Sequence, residues 1–71
     1  MNQGDQLHLA PHLREVARML ADRKFNPEIA RELSVTRHTV EKCVSELKQV
    51  LGASDRAELA EMCENLGSFL P

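Results

Sequence analysis

The stretch from residue 26 to residue 51 contains two helix start signals separated by very little chain. Asn26 followed by Pro27 predicts a helix with the asparagine as N-cap and the proline at the first helical position, where a missing N–H costs nothing. Thr36 supplies a second N-cap signal, and only two residues separate it from Leu33, the last apolar residue of the first helix. The spacing therefore predicts a short helix, a tight turn and a longer second helix.

The second of these helices is predicted to have one apolar and one polar side. Its apolar residues recur at intervals of three or four, which places them on one side of a helix. They are Val40, Val44, Leu47 and Leu51, with Cys43 and Val50 beside them. The opposite side carries Arg37, His38, Glu41, Lys42, Ser45, Lys48 and Gln49. This arrangement is typical of a helix-turn-helix, whose second helix enters a DNA major groove.

Length and composition limit the class of protein. A chain of 71 residues forms one domain with a thin core, so association with a second copy would stabilise it. The sequence has no apolar run of membrane-spanning length and no signal-peptide pattern, so we expect a cytoplasmic protein without a membrane segment. Cys43 and Cys63 fit neither a disulfide scaffold nor zinc-ligand spacing. They are expected to be reduced core thiols, and no metal or cofactor is expected.

The net charge of −2 is unusual for a DNA-binding chain, but the charge is unevenly distributed. Residues 1–22 carry three acids and two bases, a net −1, and residues 49–71 carry four acids and one base, a net −3. Residues 23–48 carry six bases and four acids, a net +2. The positive third contains the predicted helix-turn-helix. This favours a centre that faces phosphates, although few bases are available to neutralise them.

The segments before the motif complete the predicted domain. Residues 1–8 are polar and predict a flexible arm, so the folded domain is expected to span residues 9–71. Pro11 marks the start of a core helix. The connection over residues 23–25 has two interpretations: its two bases lie along one strand of DNA backbone, or it is a solvated loop with Phe25 folded over the core.

Signals after the motif predict a fourth helix. Gly52 is a left-handed helix stop, and Asp55 with Glu58 forms a capping box. The apolar residues that follow occupy more than one side of the helix, which is more than a small core requires. We therefore expect this helix to contact a second copy of the chain through small residues. The predicted seam comprises Ala57, Ala60 and Cys63.

Several short motifs occur together between Val16 and Leu59. They are Val16 through Ala21, Asn26-x-Glu28-Ile29-Ala30, Leu33-x-Val35-x-x-x-Thr39-Val40, Leu51-Gly52 and Asp55-Arg56-Ala57-Glu58-Leu59. In this order and spacing they resemble the LuxR-type (GerE-type) helix-turn-helix domain of bacterial transcription regulators. The resemblance implies an all-α, four-helix domain that binds double-stranded DNA as a homodimer, with the fourth helix as the dimer contact. It implies a freestanding regulator or the effector domain of a larger one.

The chain departs from this family at positions that bear on DNA binding. Where the family has a basic residue, a histidine and a lysine, this chain has Glu41, Cys43 and Val50. Arg23 replaces the glycine that precedes the family's second helix. The family's base contacts are therefore not carried over to residue 41, and Thr39 alone inherits a phosphate contact.

The polar side of the second motif helix still carries groups that recognise DNA. Lys42 is the best candidate for the O6 and N7 atoms of guanine, Glu41 accepts from the N4 amine of cytosine, and Ser45 serves either role. Two alternatives are open for Glu41: it is a solvated helix charge with Ser45 as its neutral neighbour, or it turns away from the groove to pair with Lys42, Arg37 or Lys48. The full set of predicted DNA-binding residues is Thr36, Arg37, His38, Thr39, Glu41, Lys42, Ser45 and Lys48.

Two classes of function remain open. A small helical domain with no glycine-rich phosphate loop and no nucleophile beside a base is not expected to be an enzyme. The first class is a sequence-specific transcription regulator. The second is a helix-turn-helix scaffold reused as a protein-interaction module, for instance an inhibitor that forms a heterodimer with a DNA-binding relative. The missing bases and the negative net charge favour the second class, and the surplus apolar surface serves both.

Overall fold

The computed structural model describes residues 11–67, which form four α-helices. The helices are α1 (Pro11–Ala21), α2 (Asn26–Leu33), α3 (Arg37–Leu51) and α4 (Arg56–Gly67). No strand occurs within the described residues, which confirms the predicted all-α, four-helix class. The predicted arm over residues 1–8 lies outside them. None of the four helices is long and apolar enough to cross a membrane.

One core is built from all four helices. Helices α1 and α4 pack against each other, α2 packs against α3, and α3 also contacts α1 and α4. The largest fully buried side chains are Val16, Leu20, Ile29, Val40, Leu47 and Leu59. Burial of each of the larger ones contributes roughly 1.5–3 kcal/mol relative to an exposed position. Because the core is small, each of these side chains carries a large share of the stability.

The predicted tight turn between α2 and α3 is present, and backbone hydrogen bonds define it. Ser34 has the left-handed backbone conformation, with φ of 59°. Its N–H donates to the carbonyl of Arg31 at 3.3 Å, and the N–H of Val35 donates to the carbonyl of Ala30 at 3.0 Å. These two bonds satisfy the last carbonyls of α2. They also hold the angle at which the chain enters α3.

The predicted N-cap of α2 is wrong by one residue. Phe25, with φ of −92° and ψ of 160°, is the cap residue, and its carbonyl accepts from the N–H groups of Glu28 and Ile29, both at 3.0 Å. Asn26 is the first helical residue, and Oδ1 of its side chain accepts from the guanidinium of Arg56 at 2.9 Å. Since the amide oxygen is used to bind α4, it does not cap its own helix.

The signals that end α3 and begin α4 are confirmed. Gly52 follows α3 with φ of 75°, the left-handed region that glycine adopts at little cost. Oδ1 of Asp55 accepts from the N–H of Glu58 at 2.8 Å, and the Glu58 carboxylate accepts from the N–H of Ser54 at 2.7 Å. The capping box is therefore reciprocal, with its return bond one residue earlier than the cap itself.

Helix α4 uses two of its predicted dimer residues in the core of its own chain. Ala60 is 5% exposed and Cys63 is 3% exposed. Cys63 therefore packs within its own chain, whereas Ala60 keeps a small accessible surface at a groove that Ala57 also lines, and the predicted seam stays a prediction. Ala57 is exposed, and its part in a dimer contact stays a prediction. Leu59, Ala60 and Cys63 are buried within the chain, where α1 is the main neighbour of α4, whereas Ala57, Met62 and Leu66 keep accessible surface.

Both cysteines are buried free thiols, as predicted. Burial raises the pKa of the Cys63 thiol. Burial also raises the pKa of the Cys43 thiol, with a further contribution from the nearby carboxylate of Glu46 that the charge of Lys42 opposes. Because the thiolate is the reactive form, both groups are poorly reactive near neutral pH and act as packing groups.

Candidate nucleic-acid interface

The start of α3 is fixed by a side-chain cap. Thr36 Oγ1 accepts from the backbone N–H of Thr39 at 3.1 Å, and the two threonine hydroxyls lie 3.0 Å apart. Thr36 has extended backbone angles, with φ of −81° and ψ of 159°, as an N-cap residue requires. The predicted N-cap is therefore confirmed. No acidic residue occupies the first turn of α3, so no carboxylate there offsets the positive end of the helix dipole.

Replacement of Thr36 by alanine is expected to lower the free energy of unfolding by about 1 kcal/mol, because it removes the acceptor for the Thr39 N–H. Thr36→Ser retains an acceptor oxygen at the same position and should cost much less. Urea unfolding followed by far-ultraviolet circular dichroism measures both changes. If the alanine and serine variants were equally stable, the cap would contribute nothing.

The outward side of α3 has the composition that periodicity predicted. Every predicted DNA-binding residue is exposed except Lys48, which is half-buried. The exposed residues are Thr36, Arg37, His38, Thr39, Glu41, Lys42 and Ser45. The opposite side of the helix is buried through Val40, Cys43, Val44 and Leu47. The outward side chains of residues 36–49 thus form one continuous polar surface, which is termed the α3 face.

The two exposed cations of the α3 face have no acidic partner within ion-pair distance among the described residues, and neither has the half-buried Lys48. Among the described residues, neither Arg37 nor Lys42 forms an ion pair. Glu41 Oε1 lies 4.0 Å from His38 Nδ1, and both side chains are well exposed, so this contact contributes little. The alternative in which Glu41 pairs with Arg37, Lys42 or Lys48 is not what the structure has. The carboxylate of Glu41 therefore projects from the α3 face beside two uncompensated positive charges.

The three positions that depart from the family differ in their effect on this face. Cys43 is buried, so the thiol that replaces the family's histidine does not reach the surface. Val50 is 50% exposed near the end of α3, where it adds apolar surface in place of a charge. Glu41 is the departure that changes the exposed chemistry of the helix, because it exchanges a positive charge for a negative one.

Arg56 is a positioning residue that sequence reasoning missed. Its guanidinium donates to Asn26 Oδ1 at 2.9 Å and to the carbonyl of Lys24 at 2.7 Å, which ties the start of α4 to the start of α2. The helix-turn-helix is thereby anchored to α4. The only sign of Arg56 in the sequence was its position within the Asp55 to Leu59 motif, and that position does not predict which groups its guanidinium binds.

The connection over residues 23–25 is a solvated loop, but it matches neither of its two interpretations completely. Phe25 is 70% exposed, so it is not folded over the core. Both bases of the connection contact carboxylates: Arg23 lies 3.4 Å from Glu64, and Lys24 lies 2.6 Å from Glu32. The connection is a solvated loop whose cations are already partly compensated.

The geometry defines the class of protein. A short helix, a hydrogen-bonded turn and a capped amphipathic helix with its polar side free form a helix-turn-helix domain. Residues 7–63 match the family described as bacterial regulatory proteins, luxR family, and the chain belongs to that family. No curated protein and no solved structure was found to match the chain. The family consists of helix-turn-helix DNA-binding transcription regulators, and it is not a family of enzymes.

Proposed function

We propose that this chain is the sequence-specific DNA-binding domain of a cytoplasmic transcription regulator, with α3 lying in the major groove. The observation that carries the proposal is the pair of exposed cations, Arg37 and Lys42, which project without acidic partners from a helix whose start is capped. A helix of this kind offers base-reading side chains along its length and backbone N–H groups at its start. The domain acts alone or as the effector part of a larger regulator.

Roles for the side chains follow from their positions on the α3 face. Thr36 and Thr39 share one hydrogen bond between their hydroxyls, so one of the two O–H groups stays free to donate to a phosphate oxygen. Arg37 and His38 lie in the first turn, close to the DNA backbone. Lys42 reads guanine, while Ser45 contacts a neighbouring base or phosphate. Glu41 accepts from cytosine and repels phosphates, which lowers affinity for random DNA. Lys48 contributes a more distant positive charge.

The test is selection of bound fragments from genomic DNA, followed by affinity measurements at two salt concentrations. A regulator should retain a subset of fragments, and its affinity should fall with salt at a slope of about −0.9 per phosphate contact. The few bases on the α3 face predict a shallow slope. Random DNA of the same length is the control, and it should bind more weakly than the selected fragments.

A second candidate is the interaction module that forms a heterodimer with a related regulator. Two observations favour it: the carboxylate of Glu41 in the centre of the α3 face, and the apolar surface of Val50 where the family has a lysine. Such a module would retard neither selected nor random DNA in a mobility-shift assay while still associating with a second chain. That result would favour the interaction module over the transcription regulator.

We propose that the domain forms a homodimer through one flank of α4. The exposed residues Glu61 and Glu64 make the outward side of α4 acidic, which disfavours contact between two copies there. The flank of α4 that carries Met62 and Leu66 is apolar, and together with Leu51 at the end of α3 it borders a groove of about 230 Å³. This flank supports the association that the family resemblance implies, with α4 still the contact helix but with different residues in the seam.

Met62→Glu is expected to weaken self-association by at least about tenfold, because a dimer contact would bury the new carboxylate without a partner. Met62 is half-buried and lies outside the core cluster, so the monomer should stay folded. Sedimentation equilibrium measures the association, and Met62→Leu is the matched control. Equal association of the glutamate and leucine variants would place the dimer contact elsewhere.

A further inference from the structure

A groove of about 450 Å³ lies between the end of α1, the connection over residues 23–25 and the start of α4. It is lined by Leu20, Arg23, Lys24, Phe25, Arg56, Ala57 and Ala60, and is termed the Phe25 groove. None of these lining residues belongs to α3. The groove is therefore a surface distinct from the α3 face, and DNA recognition by α3 does not account for it.

The floor of the Phe25 groove is apolar. Leu20 is 1% exposed and Ala60 is 5% exposed, and the small side chains of Ala57 and Ala60 leave room for an inserted side chain. Phe25 stands at the edge with 70% of its surface exposed, although burial of an aromatic ring contributes roughly 1.5–3 kcal/mol. A large aromatic side chain beside an open apolar pocket is typical of the anchor residue in a protein interface.

The backbone of Phe25 and the cation beside its ring are both fixed. The carbonyl of Phe25 accepts two backbone hydrogen bonds at the start of α2. The guanidinium of Arg56 lies 6.0 Å from the ring centroid, and its hydrogen bonds to Asn26 and to the carbonyl of Lys24 fix it there. Phe25 and Arg56 thus form a preorganised pair, which reduces the entropy lost when a partner binds.

Three cations line the rim of the Phe25 groove. Arg23 and Lys24 are paired with Glu64 and Glu32, and Arg56 is the one of the three without a carboxylate partner among the described residues. Arg56 donates hydrogen bonds to two neutral oxygens. Arg23 contacts Glu64 at 3.4 Å, but both side chains are more than half exposed, so the pair is weak and easily exchanged. A ligand that brings carboxylates to this rim would gain contacts with Arg56 and Arg23.

We propose that the Phe25 groove docks an acidic amphipathic segment of a partner protein, which inserts an apolar side chain beside Phe25 and sets carboxylates against Arg56 and Arg23. The charge of the rim selects an acidic ligand, and the apolar floor selects a protein over a nucleic-acid backbone, which has no apolar group to insert. The domain would then carry a protein-docking surface in addition to the α3 face.

The probe is a synthetic helical peptide with leucine on one side and glutamate on the other, titrated into the full chain and followed by amide NMR. We expect saturable shifts at Phe25, Arg56 and Ala57. The matched peptide with lysine in place of glutamate should bind at least about tenfold more weakly, because like charges meet at the rim. Equal binding of the two peptides, or binding of neither, would overturn the proposal.

Variants separate this groove from other surfaces. Phe25→Ala should weaken binding of the acidic peptide by about tenfold while leaving DNA affinity unchanged, and Phe25→Tyr should restore much of the loss. Val35→Ala removes another exposed apolar side chain outside the groove, and peptide binding should not change. Thermal unfolding of each variant confirms that the fold is intact.

Two further results would replace the proposal by a different ligand. If a DNA duplex, rather than the acidic peptide, shifted the amides of the groove, the groove would be a nucleic-acid surface. If those shifts depended on the concentration of the protein alone, it would be a contact between copies. Either result leaves DNA binding by α3 to be judged separately, since replacement of Lys42 or Arg37 by alanine tests that function independently of the groove.

Discussion

Alanine at Lys42 or at Arg37 is expected to weaken binding to selected DNA by about 1–3 kcal/mol each. Both side chains are exposed on the α3 face, and neither has an acidic partner among the described residues, so each is free to contact DNA. Fluorescence anisotropy at low salt with a selected fragment measures the loss. Arg14→Ala removes the same charge from α1, and screening should make its effect much smaller.

The two variants should differ in specificity. Loss of a base contact at Lys42 should relax discrimination at one base pair, whereas loss of a backbone contact at Arg37 should weaken all sequences alike. Glu41→Gln should act in the opposite direction: it removes phosphate repulsion, so affinity for random DNA should rise while selectivity falls. If affinity were unchanged in both alanine variants, α3 would not be the DNA-reading helix.

Leu47→Ala is expected to lower the free energy of unfolding by about 2–5 kcal/mol. Leu47 has no exposed surface and lies on the buried side of α3, so its truncation loses apolar contacts and leaves a cavity in a small core. The total stability of a domain of this size is only about 3–5 kcal/mol, so the variant should be largely unfolded at room temperature. Urea unfolding and amide NMR spectra measure the change.

Val50→Ala is the matched control for Leu47→Ala. It lies on the same helix but is 50% exposed, so its replacement should change stability by no more than about 0.5 kcal/mol. If Leu47→Ala also lowered the free energy of unfolding by only this small amount, the side of α3 that carries Leu47 would not be packed in the core. The comparison also separates loss of DNA binding through unfolding from loss through missing contacts.

The start of α3, the end of α3 and the start of α4 were all predicted from the sequence. Thr36, Gly52 and the pair of Asp55 and Glu58 act within a few residues of their own positions, so local chemistry is sufficient to identify them. The recurrence of apolar residues at intervals of three or four along α3 likewise predicted which side of the helix is buried. The family resemblance followed from the same local motifs.

The cap of α2 could not be assigned in this way. The sequence presents Asn26 as a good N-cap, but its side chain binds Arg56, thirty positions away. Phe25 is the cap residue instead, and no side-chain hydrogen bond caps the helix there. A pattern that describes one helix gives no information on a hydrogen bond to another helix, so the choice between the two uses of Asn26 depends on how α2 and α4 meet.

Local sequence alone determined where α3 begins and ends, where α4 begins and which side of α3 is apolar, because capping and helical periodicity operate over one or two turns. Tertiary structure alone decided what covers each apolar side. Ala60 and Cys63 belong to the same chain's core, whereas Phe25 stays at the surface beside a basic groove. The physical reason is that burial depends on contacts between residues far apart in the chain. Because the hydrophobic effect has no directional preference, an apolar side chain is stabilised by any apolar surface that covers it, whether from its own chain or from a partner.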